Sequence, residues 1–262
     1  LAMDLRVQLP SCVPATAPET SGARLDAAAL VEFHDHPSVI GLAEMMNLRG
    51  VVEGDEKVLE KLAAFAARHI DGHAPLATGY ELNAYAASGV KNCHESTSRA
   101  EAREKLRKGL QVLIREGSVS KDIGVLAPLI STATSPFIAL CTDDRSVADI
   151  AREGHIDHLV RRAIAVGAPA GAVYRAASWS AARAFGLVDR GLVAPGYRAD
   201  LVLLGDLDSC SVVGVIRNGR PVEAIAFAEP TGGEAFGHDS VRLEPVREED
   251  LAVPAAGPTG PV

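Results

Sequence analysis

The chain has 262 residues, 47% of them hydrophobic and only 4% aromatic, enough for one large α/β domain or two ordinary ones. A formal net charge of −8 with no basic stripe excludes a nucleic-acid polymer as the expected partner. Four widely spaced cysteines (Cys12, Cys93, Cys141, Cys210) form no Cys-x-x-Cys pair, and no apolar run is long enough to span a bilayer, so a reduced, cytoplasmic setting without a membrane partner is expected.

In chain order, short apolar runs at 5–14, 39–46, 69–75, 89–95, 110–117 and 137–144 read as buried parallel strands. Amphipathic stretches lie between them. Residues 26–33 read as helix, and over 55–68 Val58, Leu59, Leu62 and Phe65 form one apolar face. In 98–109, Ser98 is placed to cap, Glu101 follows three residues on, and Gly109 stops the helix. Beyond Asp144 the pattern turns helical, over 156–167, 170–176 and 180–187. Residues 188–228 then read as a small β-rich segment, with Asn218-Gly219 as a hairpin turn between apolar runs. From 229 to 262 the chain is polar and rich in proline and glycine, as in a linker.

The polar residues fall where the strands end: Glu44, His73, His94 with Glu95, Glu116, and Asp143 with Asp144. A doubly wound sheet gathers ligands at one switch point, whereas a (β/α)8 barrel brings every C-terminal strand end to one mouth. Polar ends on successive strands favour the barrel, although about six strands are present against the eight that closure requires. The expected fold is therefore α/β, a partial TIM-type barrel over 1–187.

Two imidazoles and a carboxylate, His73, His94 and Glu44, suit a borderline divalent metal with one position left open for water. Asp143 suits proton shuttling, and Glu95 and Glu116 suit hydrogen bonds to a substrate ring or support of a ligand. A bland alternative for Glu116 is a loop salt bridge with Arg115 or Lys121. His34-Asp35-His36 has His-x-His spacing, yet it precedes a strand and so belongs to the rim opposite the mouth. His155 and His158 share a helix face, with a packing or surface role as the ordinary reading. Cys93 and Cys141 lie just inside strands and read as small buried residues.

The motifs Gly41-Leu-Ala-Glu-Met-Met46, Asp71-Gly-His73, Glu81-Leu-Asn-Ala-Tyr85, Asn92-Cys-His-Glu-Ser96, Ile114-Arg-Glu-Gly-Ser118, Cys141-Thr-Asp-Asp-Arg145 and Gly154-His-Ile-Asp157 resemble those of the bacterial adenine deaminases. Pro195-Gly-Tyr-Arg-Ala-Asp200 is a more general signature of the amidohydrolase superfamily to which they belong. The likeness runs from about Val7 to Ala252. It implies the metal-dependent amidohydrolase barrel and hydrolysis of adenine to hypoxanthine and ammonia by a metal-bound hydroxide, in a homo-oligomer. It further implies a binuclear Mn2+ or Fe2+ centre, with Zn2+ an alternative. Glu44 would bridge the two ions, His73 and His94 would hold one, and Asp143 would hold the other and shuttle the proton. By the same resemblance, this chain corresponds to barrel strands three to eight, part of the small β-rich domain, and a linker toward a further C-terminal domain. The family's His-x-His pair for the second ion has no match here. Two other readings stay open: a different metal-dependent cyclic amidohydrolase, and a non-catalytic fragment lacking that pair.

Overall fold

The computed structural model describes residues 3–16, 18–227 and 243–252. Among them, strands and helices alternate as β1 (Val7–Pro10), α1 (Ala27–Val31), β2 (Val39–Met45), α2 (Leu48–Glu53), α3 (Glu56–Ala64), β3 (His69–Gly72), α4 (Gly79–Ala87), β4 (Asn92–Cys93), α5 (Arg99–Arg107), β5 (Gln111–Arg115), α6 (Ile123–Leu126) and β6 (Ile138–Cys141). Each expected strand is present, trimmed to the part of its apolar run that finds a ladder partner. The ladders run β1-β2-β3 and β4-β5-β6, every pair parallel. Among the described residues the strands do not close into a barrel.

At the join between β3 and β4 a side chain takes over from the ladder. Asn92 Oδ1 accepts from Gly72 N at 3.0 Å, and its Nδ2 meets His69 Nε2 at 3.1 Å. Lys91 N donates to Ile70 O at 2.9 Å. A Cβ on Gly72 would stand 2.2 Å from Asn92 O, so glycine is what lets the two strands approach.

The helices bury one side of these strands in two apolar clusters. One gathers Leu42, Ile70, Leu62, Phe65, Leu82 and Tyr85; the other gathers Val112, Ile114, Leu126, Ile138, Leu159 and Val173. In α3, Asp55 caps by accepting from Val58 N, and Val58, Leu62 and Phe65 are buried as expected. Leu59 is a correction, being 42% exposed. At roughly 100° per residue it is turned a quarter of the way round from Val58, while Leu62 and Phe65 return to the stripe. In α5, Ser98 accepts from Glu101 N and Gly109 takes φ +85° just beyond the helix, as the sequence suggests.

After β6 come α7 (Val147–Glu153), α8 (Ile156–Ala165) and α9 (Ala170–Arg175). The two helices expected over 170–176 and 180–187 are continuous instead, through one π-type turn (Ala176–Ser180) into α10 (Ala181–Ala184). No glycine or proline falls between Ala172 and Ala184, and the wide turn lets buried Ser180 donate from Oγ to Ser135 O at 2.6 Å.

Strands β7 (Leu201–Asp206), β8 (Ser211–Arg217) and β9 (Arg220–Pro221) form an antiparallel sheet. Asn218 and Gly219 both take positive φ, +50° and +74°, as a two-residue hairpin turn requires. Asp4 binds this segment through Arg190 (2.7 Å) and Arg198 (2.6 Å), with Arg217 at 3.5 Å. Their hydrogen bonds, that of Arg190 foremost, hold its carboxyl at about 2. A folded value below the unfolded one, about 4, adds stability above that pH and loses it as pH falls toward 2. We expect Asp4→Asn to flatten the acid limb of the stability curve over that window, and added salt to shrink the difference, because the pair is solvent-accessible. Urea titrations at stepped pH would show it; parallel curves for the two proteins would refute it.

No helix among the described residues is long and apolar enough to cross a membrane. Residues 227–262 form a separate unit, in which Glu248–Leu251 makes a 3-10 turn. Most of the linker expected over 229–262 lies outside the described residues.

Candidate metal centre

Side-chain alternation decides which residues meet. In β3, Ile70 packs against the helices, so His69 and Asp71 face the other way, and His73 continues their row just past the strand. Glu44 leaves β2 where its ladder with β3 is interrupted by a bulge between Leu42 and Met45, a device that re-aims side chains beside sites. His94 follows the two-residue strand β4.

These three converge. Glu44 Oε2 lies 2.8 Å from His94 Nε2 and 3.0 Å from His73 Nδ1, and the two ring nitrogens are 3.3 Å apart. Donors held about 2.0–2.2 Å from a tetrahedral ion sit roughly 3.3–3.6 Å from one another. The triangle therefore fits a divalent ion after opening by a few tenths of an ångström. Burial alone would raise the Glu44 carboxyl, but His73 and His94 outweigh it and hold the group at about 2. Burial likewise opposes protonation of His94, and the Glu44 carboxylate more than reverses that.

A second donor group, His94, Glu95 and Asp143, adjoins the first. Asp143 stands at φ +53° just past β6, a conformation that aspartate tolerates better than most residues and that clusters at functional sites. Its Oδ1 accepts from Asp144 N at 2.8 Å. Both groups open on a cavity of about 380 Å³, whose lining includes Met46, Val119 and Ser120 besides the donors. That is the size of a small-molecule site.

Glu116 does not join them. Val112 and Ile114 face the helices, and by the same alternation Glu116 does too; its carboxylate accepts from Ile123 N at 3.2 Å and pairs with Arg162 at 3.4 Å. The salt bridge entertained with Arg115 or Lys121 is not formed either; with Lys121 it shares a backbone bridge only. Arg115, on the opposite face of β5, points into the cavity in its place. Polar–apolar alternation would have revealed this swap, but between Gln111 and Arg115 β5 is apolar on both faces.

Two buried residues behind the site escaped the sequence reading as well. Lys105 Nζ donates to Glu95 O, Ser96 Oγ and Glu101 Oε1, tying down the loop that follows His94. Tyr85, fully buried in α4, donates from its hydroxyl to Met45 O at 2.5 Å and accepts from His73 N at 2.9 Å. It thus joins the loop of Glu44 to that of His73. We expect Tyr85→Phe to leave two buried backbone groups unpaired, costing about 1–3 kcal/mol of stability and about 10- to 100-fold in divalent-ion affinity. Chemical denaturation and metal titration of the variant measure both; wild-type values in each would exclude the role.

The histidines of the two spaced pairs, His34 with His36 and His155 with His158, lie elsewhere. Arg68 Nε donates to His34 Nε2 at 3.0 Å beside Phe65, before β2 begins, and His36 accepts from Ser38 N. His155 approaches Thr142 at 3.3 Å, and His158 lies 3.7 Å from Glu153. Burial pushes the Cys93 and Cys141 thiols up, which suits inert side chains and not thiolate nucleophiles.

Parallel strands whose C-terminal ends carry imidazoles and carboxylates around one cavity define a protein of the α/β class with a candidate metal site, its strands a part of the barrel arrangement. The chain belongs to the amidohydrolase family, whose model matches residues 1–222. It is 60% identical over 255 residues to the adenine deaminase of Methylobacterium nodulans, covering 97% of this chain and 45% of that protein. It is 55% identical over 254 residues to adenine deaminase 1 of Rhizobium etli, covering 97% and 45%. The chain thus spans about half the length of the curated relatives it matches. Among solved structures, N-acetyl-D-glucosamine-6-phosphate deacetylase from Mycobacterium smegmatis aligns with TM-score 0.55 at 21% identity, covering 76% of this chain and 60% of that one. Beta-aspartyl dipeptidase from Fervidobacterium islandicum AW-1 aligns with TM-score 0.53 at 15% identity, covering 83% and 64%. At these identities the likeness is one of fold.

Proposed function

We propose that this chain supplies the metal-binding and catalytic strand ends of an enzyme that hydrolyses adenine to hypoxanthine and ammonia. The observation that carries the reading is the meeting of Glu44, His73 and His94 within 2.8–3.3 Å at a cavity that Asp143 also lines. Relatives at 54–60% identity named adenine deaminase support the substrate.

Water adds at C6 of adenine, the adjacent ring nitrogen gains a proton, and the tetrahedral carbon expels its amine as ammonia. A bound divalent ion supplies Lewis acidity and lowers the pKa of water. Asp143 lies at the cavity to take a proton from that water and pass it toward the leaving amine. Glu95 is the carboxylate left to hydrogen-bond the purine edge, since Glu116 faces away. Manganese or iron, in a binuclear arrangement, belongs to this proposal: the two adjoining donor groups offer only nitrogen and oxygen, which suits such ions. Assembly from like copies and a cytoplasmic setting complete it.

The test is ammonia release from adenine by the Mn2+-loaded protein, run beside a panel of dihydropyrimidines and other cyclic amides. Turnover of adenine alone is expected. Turnover of cyclic amides without adenine would replace this reading with that of another cyclic amidohydrolase, and metal-loaded, folded protein inert to all of them would leave a non-catalytic fragment.

A further inference from the structure

The wall of the cavity that faces Glu44 is organised around a buried cation. Arg115 is only 8% exposed and spends its guanidinium on three carboxylates. Nη1 and Nη2 grip the two oxygens of Glu95 as a fork, the second at 2.9 Å. Nη1 also donates to Asp143 Oδ2 at 2.8 Å, and Nε donates to Asp122 Oδ2 at 2.9 Å. With Asp143 Oδ1 accepting from Asp144 N, both oxygens of that carboxylate are engaged by the chain itself. Among the described residues the Glu44–His73–His94 triangle pairs with no lysine or arginine; its donors meet one another and, at 3.7–3.8 Å, Glu95 Oε1, the oxygen that Arg115 Nη1 grips from the other side.

The two donor groups therefore differ in kind. One is a preformed set of three ligands, and the other has its carboxylates already neutralised in part by a fixed guanidinium. An ion approaching Asp143 meets that positive charge at hydrogen-bond range, where repulsion is strong and solvent screening weak. The same fork holds Glu95 and Asp143 at the cavity, because a planar guanidinium fixes carboxylates in angle as well as distance.

We propose that Arg115 is a positioning residue that holds Glu95 and Asp143 at the cavity and competes with a divalent ion for the Asp143 carboxylate, so that the chain fills its two donor groups in order. The Glu44–His73–His94 set fills first, and the Asp143 position fills only as Arg115 gives it up. This rests on the metal-centre reading above and deepens it.

The experiment is a Mn2+ titration of the full chain, with bound ions counted by elemental analysis after equilibrium dialysis. Two steps are expected, a tight one and a weaker one. Arg115→Met is expected to tighten the second step at least tenfold and to leave the first within about threefold. Arg115→Lys, which keeps the charge and loses the fork, is expected to leave the second step weak. Asp122→Asn, outside both donor groups, unmasks the guanidinium and is expected to weaken the second step severalfold; it serves as the readout should Arg115→Met fail to fold. An intact first step with a second step unmoved or weakened in Arg115→Met would overturn this proposal alone, as would a second step unmoved in Asp122→Asn. No Mn2+ binding by the unmodified chain, or binding indifferent to His94→Ala, would overturn the metal-centre reading and this proposal with it.

Discussion

Replacing His94 by alanine is expected to lower divalent-ion affinity by two orders of magnitude or more, the largest functional effect foreseen for a single substitution. Loss of a group that merely supports a ligand already costs about 10- to 100-fold. His94 is a candidate donor in both groups, with Glu44 and His73 on one side and Glu95 and Asp143 on the other, and its ring nitrogen serves one ion at a time. Its removal leaves the first group with two donors, too few to hold an ion against water. It also deprives Glu44 of one of the two imidazoles that keep its carboxyl low. The measurement is a Mn2+ titration by calorimetry, with circular dichroism to show that the variant is folded. His34→Ala is the matched control, since His34 sits with Arg68 before β2 begins, and unchanged affinity is expected there. Equal losses in both variants would mean that the ion binds elsewhere.

Lys105→Met is the corresponding experiment on stability. Lys105 is fully buried, and its ammonium pairs at 2.8 Å with Glu101, itself 5% exposed. Removing one partner of a buried pair strands the other as an uncompensated charge, at a cost of about 3–5 kcal/mol. That is a large part of the total stability of an ordinary domain, about 5–15 kcal/mol. The loss would reach the site as well, because Lys105 also holds Glu95 O at 2.6 Å. Urea denaturation is expected to show a lowered midpoint for Lys105→Met and partial recovery in the double variant with Glu101→Gln, where no unpaired charge remains. A single variant within about 1 kcal/mol of wild type would show that the pair is not what holds this loop.

These two residues mark how far the sequence could be read. His94 stands out there because a histidine at the end of a short apolar run, in step with Glu44, His73 and Asp143, has few roles but a ligand's. Lys105 looks like any lysine of an amphipathic helix, and that it is fully buried follows only from the packing of α5 against the loop after β4. The strand order was likewise legible, because each apolar run finds a parallel partner in its chain neighbour. The open join at β3 and β4 was not, since it depends on one asparagine side chain reaching the backbone and ring of another strand.

The centre shows the same division most sharply. From the sequence alone came the alternation of strands and helices, the four strand-end groups Glu44, His73, His94 and Asp143, and the exclusion of His34 and His36. All of these are local matters of periodicity and position along the chain. Tertiary structure alone decided that Arg115, not Glu116, faces the cavity. Adjacent residues on a strand point to opposite faces, and in a strand buried on both sides no alternation of polarity says which is which. Only the packing of Val112 and Ile114 against the helices settles the face, and with it the charge that Glu95 and Asp143 meet.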